Sequence, residues 1–274
     1  MEAKLRGLNE SPYDFAVVDE AQDITVPQLR MLGAIDILAE KPNGLFFSGD
    51  LGQRVYQQPF SRSALGVDIR GRSKTLKINY RTSQEIRRQA DKLLDPQFTD
   101  VDGVTEDRRG TISVFSGPEP LGRRFSSINE ECVQLAKWLQ GQLASGVAES
   151  EICIIVRSID EIPRALEAVS KAGCKASRLD EHQSAIAKCI AIATMHIAKG
   201  LEFRSVAVMA CDDEVIPLQS RIESVGDDAD LKEVYATERQ LLYVACTRAR
   251  DCLWVSGVEP TSEFIDDFEQ MNKT

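Results

Sequence analysis

The stretch Phe15-Ala-Val-Val-Asp-Glu-Ala-Gln-Asp-Ile-Thr-Val-Pro27 contains the pattern that decides the fold. Residues 15–18 form a short continuous apolar run, which is typical of a strand covered on both faces. Thr25 then provides a helix cap, and Pro27 falls in the first turn, where its missing N–H is not needed. The stretch therefore predicts a buried strand that leads directly into a helix.

Beyond this stretch, apolar strands and helical patterns continue to alternate along the chain. Apolar residues recur at helical spacing after Thr25, after Ser83 and through 132–143, where Gly146 ends the pattern. Further strands are predicted at 45–48, 111–115, 152–156, 190–194, 205–209 and 253–256. Loops are predicted at 57–71, 95–110 and 212–230, the last of them acidic and solvated. This alternation predicts an α/β fold with a mostly parallel sheet and helices on both sides.

The composition excludes several classes of protein. The 274 residues include 33 Lys and Arg against 43 Asp and Glu, which gives a formal net charge of −10. Binding to nucleic acid or membranes through bulk positive charge is therefore excluded, although local basic patches are not. The longest apolar run, 206–211, is far shorter than the roughly 20 residues that cross a bilayer. With no signal peptide, no C-x-x-C pair and 7 cysteines, the chain is predicted to be cytoplasmic, with reduced, buried thiols and no membrane contact.

Two adjacent carboxylates, Asp19 and Glu20, directly follow the first predicted strand. In open parallel sheets, ligands bind beyond the carboxyl ends of strands. In a phosphate-transfer site, Asp19 would hold Mg²⁺, and Glu20 would orient and deprotonate the attacking water. The alternative is a helix N-terminus at which acidic residues only complement the helix dipole.

Polar and aromatic residues follow two further segments. Gln53, behind the predicted strand at 45–48, could sense a γ-phosphate by hydrogen bonding, and Tyr56 could stack on a nucleobase. Tyr80 and Arg81 combine a stacking face with a guanidinium group, whose fork of donors suits phosphate oxygens. The alternatives are a polar turn with a packed tyrosine and a surface arginine with a packed stem.

Another polar segment follows the predicted strand at 190–194. Thr194 and His196 at the end of this strand could contact phosphates, although a lone histidine is more often a structural residue. Gly200 permits close approach of the backbone to a ligand, and Glu202 could accept a hydrogen bond from a ribose hydroxyl.

The pattern at 238–250 predicts a helix, and Arg248 is predicted to project away from it near its C-terminal end. Leu241, Leu242 and Ala245 would bury one side of this helix. An arginine at a helix C-terminus is also an ordinary complement to the helix dipole. This segment alone therefore does not separate a phosphate contact from a structural role.

Together, five segments in this order resemble motifs II, III, IV, V and VI of superfamily 1 helicases of the UvrD/Rep type. They are DEAQD at 19–23, GDLGQRVY at 49–56, NYR at 79–81, TMHIAKGLEF at 194–203 and ERQLLYVACTRA at 238–249. The resemblance implies RecA-like parallel sheets in two domains, with ATP between them and single-stranded DNA across the top. It makes 1–78 the C-terminal half of the first RecA-like domain and 79–274 a nearly complete second one.

The resemblance also implies a role for each matching residue. Asp19 would be the Mg²⁺ ligand, Glu20 the water-activating base and Gln53 the γ-phosphate sensor. Arg81 and Arg248 would be cationic fingers that the second domain supplies to the transferring phosphate. The residues implied to line the nucleotide are Tyr80, near the adenine, together with Gly200 and Glu202. The residues implied to face DNA are Tyr56, Thr194 and His196.

Three departures from the family pattern change what the resemblance implies. No Walker A motif precedes the acid pair, and the nearest imitation, at 66–75, has two residues between its second glycine and the lysine where the motif has none. The chain alone is therefore expected to hydrolyse ATP negligibly. Residues 174–193 stand where the family usually has a large accessory domain, and Gln57-Gln58 stands where it commonly has a Trp-Arg pair.

Two hypotheses are left open. In the first, the chain is the C-terminal portion of an ATP-dependent helicase or translocase that moves 3′ to 5′ on single-stranded DNA. The missing P-loop would come from the N-terminal RecA-like half or from a partner protein. In the second, the chain is a non-catalytic nucleic-acid-binding or partner-activating module that donates Arg81 and Arg248 in trans. The presence of Glu20 and Gln53 favours the first, because a module freed from hydrolysis need not keep a water-activating carboxylate.

Overall fold

The computed structural model describes residues 13–39, 44–50, 53, 74–95, 97–99, 105–107, 110–180 and 187–266 of the 274-residue chain. The chain divides into two compact units. Unit 1 comprises Met1–Lys77 and Pro96–Gly110, and unit 2 comprises Ile78–Asp95 and Thr111–Thr274. The assignment of 1–78 and 79–274 to two RecA-like domains stays a prediction.

The described strands and helices have the following bounds. The strands are β1 (Ala16–Val18), β2 (Leu45–Phe47), β3 (Ile78–Asn79), β4 (Gln97–Thr99), β5 (Thr105–Asp107), β6 (Ile112–Ser113), β7 (Leu121–Phe125), β8 (Ile152–Val156), β9 (Ala176–Arg178), β10 (Ile190–Thr194), β11 (Phe203–Val208) and β12 (Ala249–Val258). The helices are α1 (Val26–Ala39), α2 (Gln84–Ala90), α3 (Ile128–Ala144), α4 (Ile162–Lys171), α5 (Gln219–Glu223) and α6 (Asp228–Cys246). None of these helices combines the length and apolar character that crossing a membrane requires.

In unit 1, β1 and β2 pair in parallel, with Ala16 opposite Leu45. The connection runs through α1, as a parallel pair requires a crossover. One face of the strand pair is covered by a cluster that consists of Ile24, Leu29, Val18, Leu32, Leu45 and Phe47. On the other face, Phe15, Val17 and Phe46 are 67 %, 62 % and 63 % exposed. The prediction of a strand covered on both faces is therefore wrong in the described part of unit 1.

The start of α1 is set by a reciprocal pair of hydrogen bonds. The backbone N–H of Thr25 donates to Gln28 Oε1 at 2.8 Å, and the N–H of Gln28 donates to Thr25 Oγ1 at 3.3 Å. Such a box provides partners for N–H groups that have none within the helix. Pro27 lies in the first turn, so the predicted helix start is confirmed.

The other small pairings lie where sequence periodicity is weakest. β4 and β5 form an antiparallel pair, with Phe98 opposite Glu106, inside the stretch 95–110 that was predicted to be a loop. That prediction is wrong because each strand has only three paired residues, too few to show the alternation of apolar and polar residues by which a strand is recognised in a sequence. The predicted loop at 57–71 lies outside the described residues. In unit 2, β3 pairs in parallel with β6.

The main sheet of unit 2 has six described strands in the spatial order β7-β12-β11-β8-β10-β9. Every adjacent pair is parallel, which confirms the predicted parallel sheet. β8, with the sequence Ile-Cys-Ile-Ile-Val, is buried at all five positions between β11 and β10. A continuous run of β-branched and apolar residues suits a strand that is covered on both faces.

Helices cover both faces of this sheet. On one face, Leu135 and Leu139 of α3 and Ala165 of α4 pack in a cluster with Ile154 and Ile192. Because side chains alternate along a strand, the odd-numbered residues of β8 face the other way. Arg157, the next odd-numbered residue, lies on that second face and pairs with Glu238 of α6. Helix α6 also contacts β11 and β12, so it covers the second face. The predicted α/β layering is therefore confirmed.

Side-chain caps start three of the described helices of unit 2. At the start of α2, Ser83 Oγ accepts from the N–H of Ile86 at 3.4 Å, as the sequence predicts. Ser127 Oγ accepts from the N–H of Glu130 at 3.2 Å at the start of α3. Asp227 Oδ1 accepts from the N–H groups of Ala229 and Asp230, at 2.8 and 2.9 Å, at the start of α6. The stretch 212–230 therefore contains α5 and the first turn of α6, and its prediction as a loop is only partly right. Acidic residues at 227–230 act as a cap and complement the helix dipole.

A buried polar network ties α3 and α4 to the ends of β11 and β12. Glu131 accepts from Ser256 Oγ at 2.6 Å, from the N–H of Ala210 at 3.2 Å and from Arg164 Nε at 2.6 Å. Arg164 in turn donates to Asp212 at 2.5 Å. Burial raises the pKa of Glu131 above its ordinary value, although the charge of Arg164 acts in the opposite direction. This network accounts for Asp212 as a structural residue rather than a member of a solvated loop.

The seven cysteines are free thiols, as predicted. Cys132, Cys153, Cys211 and Cys246 are buried, while Cys174, Cys189 and Cys252 are only half-buried. Burial raises the pKa of the Cys132 thiol to about 11. The prediction that the cysteines are buried small residues is therefore right for four of them.

Candidate functional site

In unit 1, the acid pair directly follows β1. Asp19 and Glu20 are both exposed, and Glu20 adopts a left-handed backbone conformation with φ of 51°. The N–H of Glu20 donates to Asp19 Oδ1 at 3.0 Å. Left-handed residues other than glycine are uncommon, and they are frequent at functional sites. The turn places both carboxylates at the carboxyl end of a parallel strand, where the sequence predicted them.

The turn after β2 is hydrogen-bonded to the turn after β1. The N–H of Ala21 donates to the Ser48 carbonyl at 2.8 Å, and the N–H of Ser48 donates to the Val18 carbonyl at 2.8 Å. These backbone bonds bring the two segments that resemble motifs II and III side by side. In the second of them, Gln53 Nε2 donates to Asp50 Oδ2 at 3.0 Å.

Gln22 connects these two turns through its side chain. Its Nε2 donates to Glu20 Oε2 at 2.5 Å, and its Oε1 accepts from the N–H of Asp50 at 3.1 Å. A Cβ atom at position 49 would overlap Gln22 Oε1 and lie 3.1 Å from the N of Ala21, so Gly49 leaves room for the Gln22 amide in this position. Sequence reasoning quoted Gln22 within the motif but assigned it no role. The available signal was an amide placed two residues after the second carboxylate.

In unit 2, the Arg81 side chain lies against residues 201–202. Its guanidinium group donates to the carbonyl oxygen of Leu201 and forms an ion pair with Glu202, with 2.9 Å between Nε and Oε2. Asn79 Oδ1 accepts from the Arg81 N–H at 2.7 Å and from the Thr82 N–H at 3.2 Å, which shapes the turn after β3. The side chain of Arg81 is 36 % exposed.

Arg248 follows α6 and reaches the same carbonyl. Its Nη1 donates to the Leu201 oxygen at 3.4 Å, its Nε donates to the Val244 oxygen at 2.9 Å, and the residue is 1 % exposed. The prediction that α6 buries only one side near its end is wrong, because every residue of 240–249 is buried. The structure therefore brings together Arg81, Arg248 and Glu202 beside Gly200, whose φ is 80°.

Thr194 and His196 lie at the carboxyl end of β10, next to a buried cluster of charges. Arg157 donates to both carboxylate oxygens of Glu238 at 2.6 Å, and Arg221 Nη1 donates to Glu238 Oε1 at 2.8 Å. Burial acts to raise the pKa of Glu238, but the hydrogen bonds and charge of Arg157 and Arg221 outweigh it, and the pKa is lowered. Burial and the charge of Arg157 likewise lower the pKa of His196. Sequence reasoning did not single out Arg157 or assign a role to Glu238.

Tyr80 is predicted to stack near the adenine, and Tyr56 is predicted to face DNA. Tyr80 is 69 % exposed at the end of β3, in a position where a planar ligand could reach its ring. Tyr56 lies outside the described residues.

The chemistry of Asp19 fits a nucleotide-bound magnesium ion. Among the described residues, no group of three or more His, Cys, Asp or Glu side chains could hold a metal ion by itself. Mg²⁺ at nucleotide sites takes one or two carboxylates, together with water and phosphate oxygens. The single exposed carboxylate of Asp19 is of this type, so the residues present fit such an ion.

These features first define a class of protein. The parallel sheet with helices on both faces makes this an α/β protein. Polar turns at the carboxyl ends of the strands, together with the helicase family match described next, agree with a RecA-like fold. Residues 166–259 match the UvrD-like helicase C-terminal domain family. The predicted resemblance to the C-terminal portion of UvrD/Rep-type superfamily 1 helicases is thereby confirmed.

Curated relatives agree with this family. The chain is 36 % identical over 109 residues to YjcD of Bacillus subtilis, whose name classes it with ATP-dependent DNA helicases, covering 39 % of this chain and 13 % of YjcD. It is 25 % identical over 268 residues to a probable DNA helicase of Mycoplasma pneumoniae, covering 94 % of this chain and 46 % of that protein. It is 39 % identical over 68 residues to the ATP-dependent DNA helicase PcrA of Staphylococcus epidermidis, covering 25 % of this chain and 9 % of PcrA. The chain thus spans less than half the length of these relatives.

Proposed function

We propose that this chain is the C-terminal portion of an ATP-dependent DNA helicase or translocase that moves 3′ to 5′ along single-stranded DNA. The names of the relatives support the ATP-dependent DNA helicase part of this proposal. The five motif-like segments also support it, because they follow one another along the chain in the order of motifs II to VI of the helicases that the chain resembles.

The observation that carries the proposal is the convergence of three segments in unit 2. Arg81 and Arg248 both donate to the carbonyl oxygen of Leu201, and Arg81 pairs with Glu202. Segments distant in sequence thereby gather two guanidinium groups beside one turn. In phosphoryl transfer, such cations stabilise the charge that spreads over the phosphate oxygens.

In unit 1, the proposed chemistry belongs to Asp19, Glu20 and Gln53. Asp19 would hold Mg²⁺, which neutralises charge on the nucleotide phosphates when it is bound. Glu20 would orient the attacking water and take its proton, and Gln53 would bind the γ-phosphate through its amide. Thr194 and His196 would contact the DNA from unit 2, and Tyr80 would stack on the adenine.

A P-loop is needed to complete this chemistry. The 274 residues contain no G-x-x-x-x-G-K-[ST] sequence. Backbone N–H groups and the lysine of such a loop bind the β- and γ-phosphates. We therefore propose that this chain acts together with a P-loop from the rest of its polypeptide or from a partner protein, and that the 274 residues alone hydrolyse ATP negligibly.

The test uses the full-length protein that carries the P-loop, assayed for DNA-stimulated ATP hydrolysis and for unwinding of duplexes with a 3′ or a 5′ single-stranded tail. The wild type should hydrolyse ATP and unwind the 3′-tailed duplex, and Glu20→Gln should abolish both activities. Glu119→Gln is the matched control, because Glu119 forms an exposed ion pair with Arg88 and none of the five motif-like segments includes it. Unwinding of the 5′-tailed duplex alone would refute the polarity, and an active Glu20→Gln variant would refute the assigned base.

A trans assay tests the alternative. If the 274-residue chain stimulates the ATPase activity of a separate P-loop protein, and Arg81→Ala removes that stimulation, the chain is an arginine-donating module. No such stimulation is expected if the P-loop belongs to the same polypeptide as these 274 residues.

A further inference from the structure

We propose that Gln22 is a positioning residue that sets the Glu20 carboxylate and the turn carrying Gln53 in one hydrogen-bonded series. This inference rests on the proposed function, because Glu20 and Gln53 have their assigned tasks only in ATP hydrolysis. The series runs from Glu20 through Gln22 and Asp50 to Gln53, and each link is a hydrogen bond within unit 1.

The orientation of the Gln22 amide follows from its partners. The backbone N–H of Asp50 can only donate, so it must face Gln22 Oε1, at 3.1 Å. The NH₂ end of the same amide therefore faces Glu20 Oε2, at 2.5 Å, as a donor to a carboxylate. Only an amide of this length supplies an acceptor at one end and a donor at the other. Glutamate would set a second carboxylate against Glu20, and methionine would supply neither group.

Burial makes this link stiff. Gln22 is 4 % exposed, whereas Glu20 is exposed and Asp50 is half-buried. Hydrogen bonds shielded from water are stronger than exposed ones, and a buried amide that loses a partner is costly. Gly49 leaves the space that the amide occupies, since a Cβ there would overlap Gln22 Oε1. The amide is therefore enclosed by the turn with which it is bonded.

The hydrogen bonds of Gln22 are not required to hold β1 and β2 together. β1 and β2 are already joined by their ladder and by the bonds between Ser48 and Val18 and between Ala21 and Ser48. What Gln22 adds is a link to the side chain of Glu20. A displacement of Asp50 when Gln53 binds or releases a phosphate would be transmitted through the Asp50 N–H to Gln22, and from there to the water-activating carboxylate of Glu20.

Hydrogen exchange of the Asp50 amide in the 274-residue chain tests the link without any catalytic activity. Gln22→Met removes the acceptor of the Asp50 N–H, so its exchange should become about tenfold faster, the effect of one lost hydrogen bond. Gln22→Glu keeps a carboxylate acceptor, so its exchange should stay near the wild-type rate. Gln28→Met is the matched control, because Gln28 is exposed and its hydrogen bonds among the described residues go to Thr25. An unchanged Asp50 exchange rate in Gln22→Met would overturn the link.

Kinetics of the full-length protein that carries the P-loop test the positioning role. Gln22→Glu loses the donor to Glu20, and we expect kcat to fall by about tenfold or more while KM for ATP changes little, because the interaction acts on the activated water rather than on nucleotide binding. Gln22→Met should show the same split, and Gln28→Met should not. Wild-type kcat in Gln22→Glu would overturn the role of Gln22. A wild-type protein without ATPase activity would instead overturn the proposed function, and the exchange measurement distinguishes these two failures.

Discussion

Arg81 and Arg248 donate hydrogen bonds to one acceptor, the carbonyl oxygen of Leu201. Their surroundings differ, because the side chain of Arg81 is 36 % exposed and paired with Glu202, whereas Arg248 is 1 % exposed. Arg248 also donates hydrogen bonds to the Val244 carbonyl oxygen, at 2.9 Å, and to the Thr247 hydroxyl oxygen, at 3.2 Å. The same acceptor therefore joins a surface cation and an enclosed one, and the two should respond differently to substitution.

Replacing Arg248 should destabilise unit 2, whereas replacing Arg81 should not. Arg248→Met removes a buried guanidinium group together with its hydrogen bonds to the carbonyl oxygens of Val244 and Leu201, and we expect the free energy of unfolding to fall by about 1–3 kcal/mol. Arg81→Met removes a half-exposed group, and the expected change is about 0.5 kcal/mol or less. Urea unfolding of both variants measures this difference. Equal losses would show that Arg248 is not held as the structure describes.

Breaking the buried pair between Arg157 and Glu238 should be among the most damaging changes in unit 2. Glu238→Gln leaves the buried guanidinium of Arg157 without its carboxylate, which typically costs about 3–5 kcal/mol. Glu119→Gln is the control, because its pair with Arg88 is exposed and worth about 0–1 kcal/mol. Thermal and urea unfolding compare the two, and a small effect at Glu238 would contradict the assigned burial.

Stability should fall on the acid side of neutrality because of His196. Burial and the charges of Arg157 and Arg221 lower its pKa below 6.5, against the opposing charge of Glu238. The unfolded chain therefore binds this proton more readily than the folded one. The contribution of neutral His196 to the free energy of unfolding is fully present above pH 6.5, and it is lost as pH falls through the lowered pKa of the folded state. Unfolding measured from about pH 7.5 to 5.5 should show this slope, and His196→Asn should flatten it. An identical slope in the variant would refute the prediction.

Two glycines should respond to alanine in opposite directions. A Cβ at Gly257 would overlap the Cys211 carbonyl oxygen and lie 2.7 Å from its carbon, so Gly257→Ala should cost about 1–3 kcal/mol. Around Gly141, in α3, a Cβ would meet nothing within 4 Å. Gly141→Ala should therefore stabilise the protein by about 0.5–1 kcal/mol. The midpoints of urea denaturation report both signs, and a neutral Gly257→Ala would contradict the close approach.

The isolated chain should bind single-stranded DNA weakly and with a clear salt dependence. Its net charge is −10, and a partial groove neutralises few phosphates. Anisotropy titrations of a labelled oligonucleotide at two salt concentrations should show weaker binding at the higher one. Tight binding that is insensitive to salt would contradict this prediction.

Strands could be predicted from the sequence where a strand is a continuous apolar run. β8 and β10 lie at 152–156 and 190–194 as predicted, because both are continuous apolar runs in the middle of the sheet. β7 and β9 were missed. Both contain arginine, and β7 and β9 are the edges of the six-stranded sheet, where a strand need not be apolar throughout.

The candidate site was predicted in its residue types but not in its contacts. The carboxylates, Gln53, Arg81 and Arg248 were recognised because their order along the chain resembles a known set of motifs. Gln22 and Glu238 stood inside the quoted motifs, but a sequence pattern does not say which partner a buried amide or carboxylate finds. Their roles became visible only with Asp50 and Arg157 beside them.

The sequence by itself determined the alternation of strands and helices, the helix starts at Thr25 and Ser83, and the identity of the chemically active groups at the strand ends. These are local properties, set by side-chain periodicity and by hydrogen bonds that span three or four residues. Only the tertiary structure decided that β1 leaves one face exposed, that Arg248 is enclosed, and that Leu201 is shared by two arginines. Such contacts join residues far apart in the chain, so they depend on the register of the sheet and the packing of α6, which no local pattern contains.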